Sequence, residues 1–232
     1  GGAHPRSILT TLSPDPECGG WRLDGEKRWS TLGGFAEELL VVARLPAPAG
    51  TERSRLCVIR MPASRPGVQL REMPATAFIP EVPHAAATFE SVHVAAKECL
   101  AGDGYERYLK PFRTVEDCFV HSAMLAWLIR VGRHGGWPNE HVEGLAAALA
   151  GFWALSFADP SSAAVHRTLG GLLVQVHRLI DASEEFCSAL DPETRHRWSR
   201  DRPLFSVAAH ARARRLDAAR RRTAAMDASF LA

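Results

Sequence analysis

Apolar residues in the second half of the chain recur every three or four positions, which is the spacing of one face of an α-helix. The first such segment follows Pro111, a residue that favours the first turn of a helix. Three more segments follow, at about 140–158, about 162–190 and about 201–228. Because the connections between them are short, this pattern predicts an up-down four-helix bundle.

The first 94 residues instead contain short apolar runs separated by turn residues. Loose alternation at Ile8–Leu12 and the runs Leu39–Ala43 and Leu56–Met61 predict strands. The uninterrupted run 39–43 predicts a strand buried on both faces. The dipeptide Asp24-Gly25 is a strong signal for a hairpin turn. Strands at this spacing predict a small antiparallel β-barrel or sandwich.

The change of period divides the chain into two predicted domains. We expect residues 1–95 to form the β-domain and residues 96–232 to form the helical bundle. The predicted fold class is therefore multi-domain α and β, with an antiparallel β-barrel or sandwich followed by a four-helix bundle.

Composition excludes several classes of protein. The chain has 46% hydrophobic and 23% charged residues and a net charge of +2, which is typical of a globular protein and not of a disordered one. It contains no run of about 18 apolar residues, so no membrane span is expected. Five scattered cysteines without a CxxC pair favour reduced thiols and a cytoplasmic location. Because the chain begins with Gly-Gly instead of Met, we interpret it as a processed chain or a fragment.

Positive charge is concentrated near the C-terminus. Residues 195–222 contain ten arginines against two aspartates, and only three of the 28 basic residues of the chain are lysine. Such a segment can bind nucleic-acid phosphate. No aromatic residue is interleaved with the arginines of 212–222, and the same segment carries an apolar stripe. We therefore expect a solvated or subunit-facing basic surface and no nucleic-acid partner.

Few residues form a recognisable catalytic pattern. No GxGxxG turn, Walker loop, GxSxG elbow or HExxH helix occurs, and no histidine pair has convincing metal-ligand spacing, so no metal site is expected. Asp117 and His121 are four residues apart on one predicted helix, either as an ordinary helix pair or as an acid/base dyad without an evident nucleophile. Glu116 is either a favourable charge near the helix N-terminus or a buried general base.

Two stretches carry a family resemblance. Residues 23–44 read LDGEKRWSTLGGFAEELLVVAR, which resembles the middle-domain stretch of the acyl-CoA dehydrogenase family, where NGEK-x-W-I-T-N-G precedes a buried strand. Phe89–Val94 followed by Leu100–Gly104 resembles that family's exit from its β-domain into the helical bundle. The resemblance thus runs in order through both predicted domains.

The resemblance implies a three-domain enzyme with an N-terminal helical domain, a middle β-barrel and a C-terminal four-helix bundle. Residue 1 falls near the start of the barrel, so we expect the N-terminal domain to be missing from this chain. Members of the family bind FAD and, in fatty acid metabolism, oxidise an acyl-CoA thioester to the trans-2-enoyl-CoA. The resemblance also implies an electron-transfer flavoprotein or similar acceptor, and a homo-oligomer, either a dimer or a tetramer.

The same resemblance assigns candidate site residues. Trp29 matches the tryptophan that packs on the flavin ring, and Thr31 matches the threonine near flavin N5, with Ser30 between them as a further cofactor-binding residue. Glu116 stands where one branch of the family has its catalytic base. The other branch takes its base from a loop before the last helix, where Glu193 is the nearest candidate; we prefer Glu116.

The chain departs from the family at several positions. Gly2-Ala3-His4-Pro5 stands where the family has its TE-x-x-A-G-S-D loop, and Leu32 and Asp117 replace an Asn and an Arg. The R-x-x-F-G and Q-x-x-G-G segments, which usually hold the FAD adenosine and diphosphate, have no match in the chain. These departures favour an alternative, in which the chain is a degenerate, non-catalytic family member acting as a structural or partner subunit.

Overall fold

A computed structural model describes residues 7–17, 19–47 and 55–230, with the side chains of 226–230 left aside. The chain divides into two compact units, one ending at Lys110 and the other beginning at Pro111. Each unit is described by itself below. The division of the sequence at residue 95 stays a prediction.

The first unit is built around one sheet of six strands in the order β4-β3-β1-β2-β6-β5. The strands are β1 Thr11–Pro14, β2 Trp21–Thr31, β3 Glu38–Arg44, β4 Leu56–Pro62, β5 Val68–Glu72 and β6 His84–Val94. Neighbouring strands are antiparallel except β1 and β3, which meet in parallel at a single pair, so the sheet is mixed. One face of the sheet buries a core of apolar side chains, which includes Phe89.

Strand β3 is buried on one face only. Leu39, Val41 and Ala43 are buried, whereas the side chain of Leu40 is 69% exposed. The expectation of a strand buried on both faces was therefore wrong. A continuous apolar run does not by itself distinguish one buried face from two, because the covering layer comes from distant parts of the chain.

Asp24-Gly25 does not form the predicted hairpin turn. Strand β2 continues through it, and the pairing with β6 shifts register between Leu23 and Gly25. Gly25 has a φ of +119°, and a Cβ there would lie 2.9 Å from Cα of Thr10. Both a hairpin turn and a β-bulge use a glycine at positive φ, so the local sequence does not distinguish between them.

The second unit is helical. It contains α1 Lys110–His134, α2 Asn139–Ser156, α3 Ala163–Cys187, α4 Pro192–Asp201 and α5 Ala209–Phe230. A π-helical turn at Tyr105–Leu109 precedes α1. The last helix, predicted at about 201–228, is instead a 3₁₀ turn at Arg202–Ser206 followed by α5, and α4 was not predicted. In the part of the chain that the structure describes, no helix is long and apolar enough to cross a membrane.

Contacts between the helices define their directions. Gly144 of α2 lies against Leu179 of α3, and Gly151 lies against Leu172, so α2 and α3 are antiparallel. Glycines at these positions allow the leucines of the neighbouring helix to approach closely. The predicted fold class, a β-domain followed by an up-down bundle of long helices, is confirmed.

Candidate functional site

The end of strand β2 presents an aromatic corner. The pairing of β2 with β6 shifts again between Lys27 and Ser30, and Trp29 within this shift has a φ of +63°. A positive φ at a bulky residue is uncommon and needs support from its surroundings. The backbone N–H of Trp29 donates to the sulfur of Met73 at 3.2 Å. The indole is 44% exposed, so its ring is available to a partner.

His84 lies beside this corner. Its ring packs edge-on against the indole of Trp29, with 5.8 Å between the ring centroids. Strand register pairs His84 with Thr31, whose side chain is exposed. Among the described residues, none hydrogen-bonds to the buried Nδ1 of His84. Sequence reasoning missed His84, because a lone histidine at the start of a strand carries no local signal.

The chain turns sharply just after Thr31. Leu32 has a φ of +55°, and its backbone N–H donates to the carbonyl of Pro83 at 2.9 Å. Gly33 is buried, and a Cβ there would lie 3.1 Å from the Cβ of Ser30. A glycine therefore allows the chain to pass close to Ser30 at the end of β2. Trp29, Ser30 and Thr31 are consecutive at the end of β2, and we refer to them as the Trp29 corner.

Lys27 lies on the same strand and shares a face with the buried Ala87, its partner in β6. Burial lowers the pKa of its ammonium from 10.5 to about 8. No described residue forms an ion pair or hydrogen bond with it. A half-buried lysine without a counter-ion is costly in a sheet, and the sequence pattern did not single it out.

Glu116 lies in the first turns of α1 and is partly exposed. Its carboxylate accepts a hydrogen bond from Arg113 at 3.0 Å, and its side chain is 38% exposed. Glu193, the other candidate base, pairs with Arg197 at 2.7 Å on α4 and is still more exposed. Glu116 therefore does not have the buried setting that would favour a general base.

Asp117 and His121 do not form a catalytic dyad. Nδ1–H of His121 donates to the backbone carbonyl of Asp117 at 2.7 Å, not to its carboxylate. The carboxylate instead accepts hydrogen bonds from Arg212, at 3.1 Å, and from Arg215 of α5. The ring of His121 stacks on Phe152, and burial lowers the pKa of the imidazole. His121 therefore packs in the core of the bundle, and Asp117 forms an ion pair between α1 and α5.

The arginines near the C-terminus are not one surface. Arg212 and Arg215 turn inward to Asp117, whereas Arg220 is exposed and pairs with Asp217. We expected these arginines to form a basic surface. Instead, Asp117 neutralises part of their positive charge inside the bundle. The altered loop at Gly2–Pro5 lies outside the described residues.

Comparison with known families finds a match to the first unit. Residues 1–92 match the family described as "Acyl-CoA dehydrogenase, middle domain". Residues 1–92 thus resemble an acyl-CoA dehydrogenase middle domain. This confirms the resemblance deduced from residues 23–44, and it places the Trp29 corner inside the matched region. No curated protein sequence matches the chain.

Solved structures extend the likeness of this acyl-CoA dehydrogenase-like chain to the helical unit. FMN-bound TdsC from Paenibacillus sp. A11-2 is similar with a TM-score of 0.72 at 15% identity, over 94% of this chain and 67% of that one. Butyryl-CoA dehydrogenase from Megasphaera elsdenii is similar with a TM-score of 0.60 at 15% identity, over 91% and 63%. A probable acyl-CoA dehydrogenase from Mycobacterium abscessus is similar with a TM-score of 0.62 at 12% identity, over 86% and 60%.

These likenesses show that the chain has the fold of the three solved structures. The chain spans about two thirds of the length of the solved structures that it matches.

Proposed function

We propose that this chain belongs to a flavin-dependent oxidoreductase and that the Trp29 corner holds the flavin. The observation that carries the proposal is the exposed indole at the end of β2, inside the region that matches the middle domain. FMN-bound TdsC, which has the same fold, supports a flavin. The family resemblance favours FAD as the form of the flavin.

The residues present fit a flavin. A flat, exposed aromatic face suits stacking against a planar ring system, and a hydroxyl on a rigid strand suits a hydrogen bond to a ring heteroatom. The buried Nδ1 of His84, without a partner among the described residues, is a polar atom beside the same indole. When bound, a flavin supplies the site that accepts a hydride; the chain would hold and orient it through Trp29, Ser30 and Thr31.

As the reaction, we propose α,β-dehydrogenation of an acyl-CoA thioester, with Glu116 removing the α-proton. Glu116 occupies the position that the resemblance implies, near the start of the first bundle helix. Its ion pair with Arg113 is exposed and therefore weak, so the carboxylate can exchange this partner for substrate at little cost. The proposal further includes an electron-transfer flavoprotein or similar acceptor, a homo-oligomer and a cytoplasmic location.

A second candidate is a non-catalytic family member that acts as a partner subunit. The exposed, ion-paired setting of Glu116 and the missing dinucleotide-binding segments favour it. The two candidates differ in one observable, because only the enzyme needs a bound flavin that an acyl-CoA reduces.

The test is the visible absorbance spectrum of the purified full-length protein, before and after incubation with FMN or FAD. The oxidoreductase proposal expects a yellow protein that an acyl-CoA bleaches under anaerobic conditions. Trp29→Ala should weaken flavin binding about tenfold, since one stacked aromatic contact is lost. Trp153→Ala is the matched control, because Trp153 is a similarly exposed tryptophan at 59% on α2. A protein that takes up neither flavin would refute the proposal and favour the non-catalytic candidate.

A further inference from the structure

A pocket of about 190 Å³ lies between α3 and α5 in the helical unit. Its walls are mainly aliphatic, with Leu169 and Leu173 from α3 and Leu216 from α5. Val174 stands at the pocket and is 54% exposed, so solvent reaches it. The lining, aliphatic with a few polar groups, suits a small, partly apolar molecule.

The polar part of the lining carries one sign of charge. Arg212 and Arg215 both line the pocket, and none of the described residues that line it is acidic. The side chain of Arg212 is only 9% exposed. Among the described residues, the two guanidinium groups share a single carboxylate, that of Asp117, so the pair has one positive charge in excess. A buried charge without a partner is unfavourable, so the arrangement favours an anion.

The two arginines also have hydrogen-bond donors to spare. A guanidinium has five N–H donors. Arg215 uses one for Thr114 and one for Asp117, and the remaining three have no partner among the described residues. Arg212 donates to Asp117 and to the backbone carbonyls of Phe205 and Val207, so it is held in place with donors remaining. Guanidinium groups with donors remaining can form charge-assisted hydrogen bonds with an oxyanion.

We propose that the pocket between α3 and α5 binds a small organic anion, with its carboxylate or phosphate group on Arg215 and Arg212 and its apolar part against the leucines. Asp117 orients the two guanidinium groups through its two carboxylate oxygens. The site lies wholly within the helical unit, and it is separate from the Trp29 corner of the first unit, so it does not depend on flavin binding.

Isothermal titration calorimetry on the full chain in low salt tests the proposal, with cyclohexanecarboxylate and its uncharged amide as matched ligands. We expect the carboxylate to bind in a 1:1 ratio and about tenfold more tightly than the amide, since only the anion makes charge-assisted hydrogen bonds. Added salt should weaken its binding. Equal affinity for the amide, or no binding by the carboxylate, would overturn the proposal.

Val174→Trp places a large ring at the pocket without touching either arginine and should abolish binding of the carboxylate. Gln175→Trp is the matched control: the neighbouring residue is exposed, does not line the pocket, and should leave binding intact. Carboxylate binding that survives Val174→Trp would place the anion elsewhere and refute the site. A competition with inorganic phosphate, compared with chloride at equal ionic strength, distinguishes the two head groups. If phosphate displaces the bound carboxylate, the site accepts a phosphate group. If phosphate does not displace it, the site is specific for a carboxylate group.

Discussion

The carboxylate of Asp117 in α1 accepts a hydrogen bond from Arg212 in α5 at 3.1 Å, and both side chains are 9% exposed. Arg215, one turn further along α5, binds the other carboxylate oxygen and also donates to Thr114 at 3.2 Å. Since Asp117 pairs with Arg212 and the earlier Thr114 pairs with the later Arg215, α1 and α5 are antiparallel. The first and last long helices of the bundle are therefore joined by a buried ion pair.

Asp117→Asn should destabilise the protein strongly. It leaves Arg212 and Arg215 inside the bundle without an anion, and breaking a buried ion pair in this way costs about 3–5 kcal/mol. Asp217→Asn is the control, because Asp217 also pairs with an arginine of α5 but is exposed, and its loss should cost less than about 1 kcal/mol. Urea unfolding at neutral pH measures both; similar values for the two variants would contradict the buried pair.

Gly25→Ala should destabilise the β-unit by about 1–3 kcal/mol, since it forces a side chain into a positive-φ conformation. The added Cβ would also meet the backbone at Thr10, 2.9 Å away. Gly34→Ala is the matched change, because a Cβ there meets nothing within 4 Å. Its effect should stay below about 1 kcal/mol. If Gly25→Ala melts at the wild-type temperature, the bulge is not as described.

The stability of the protein should fall as the pH drops below 6.5, and His121 should contribute to this fall. Burial lowers the pKa of its imidazole from 6.5. Between the lowered value and 6.5, the unfolded chain binds a proton that the native state does not, so the free energy of unfolding decreases toward low pH.

His121→Phe should reduce this pH dependence by up to about one proton, because phenylalanine preserves the stack on Phe152 and does not titrate. Urea titrations at several pH values between 5 and 8 measure the slope. His134→Phe, at an exposed site on the same helix, should leave the slope unchanged. A His121→Phe variant with the wild-type slope would show that another group is responsible.

Glu116→Gln tests the proposed base separately from flavin binding. We expect the variant to keep its flavin spectrum and to lose anaerobic bleaching by acyl-CoA about 100-fold, the usual contribution of a general base. Glu193→Gln should bleach at the wild-type rate. Rapid-mixing absorbance measures the bleaching rate; normal bleaching in Glu116→Gln would remove this residue from the chemistry and leave the flavin site untouched.

Sequence patterns predicted most of the elements. The strand at Leu56–Met61 is β4, and the helical segments at about 140–158 and about 162–190 correspond to α2 and α3. They were predictable because periodicity is local and repeats over many residues. One helix was missed: Pro192, which we interpreted as a break between two helices, is the first residue of α4.

The candidate site was predictable only in part. Trp29, Ser30 and Thr31 stood out through a family resemblance, and the structure places them together at one corner of the sheet. His84 joins them only through strand pairing, more than fifty residues along the chain. Whether Trp29 and Thr31 hold a flavin remains a prediction.

The sequence by itself determined the kinds of element and their order, because side-chain periodicity and turn residues act over a few residues. It also indicated the family that the first unit resembles, through a long, specific stretch around Trp29. Only the tertiary structure decided that Gly25 forms a bulge, that β3 is exposed at Leu40, and that Arg212 and Arg215 turn inward to Asp117. These outcomes depend on which distant segments of the chain contact one another, because side-chain burial, strand pairing and ion pairing all require such contacts.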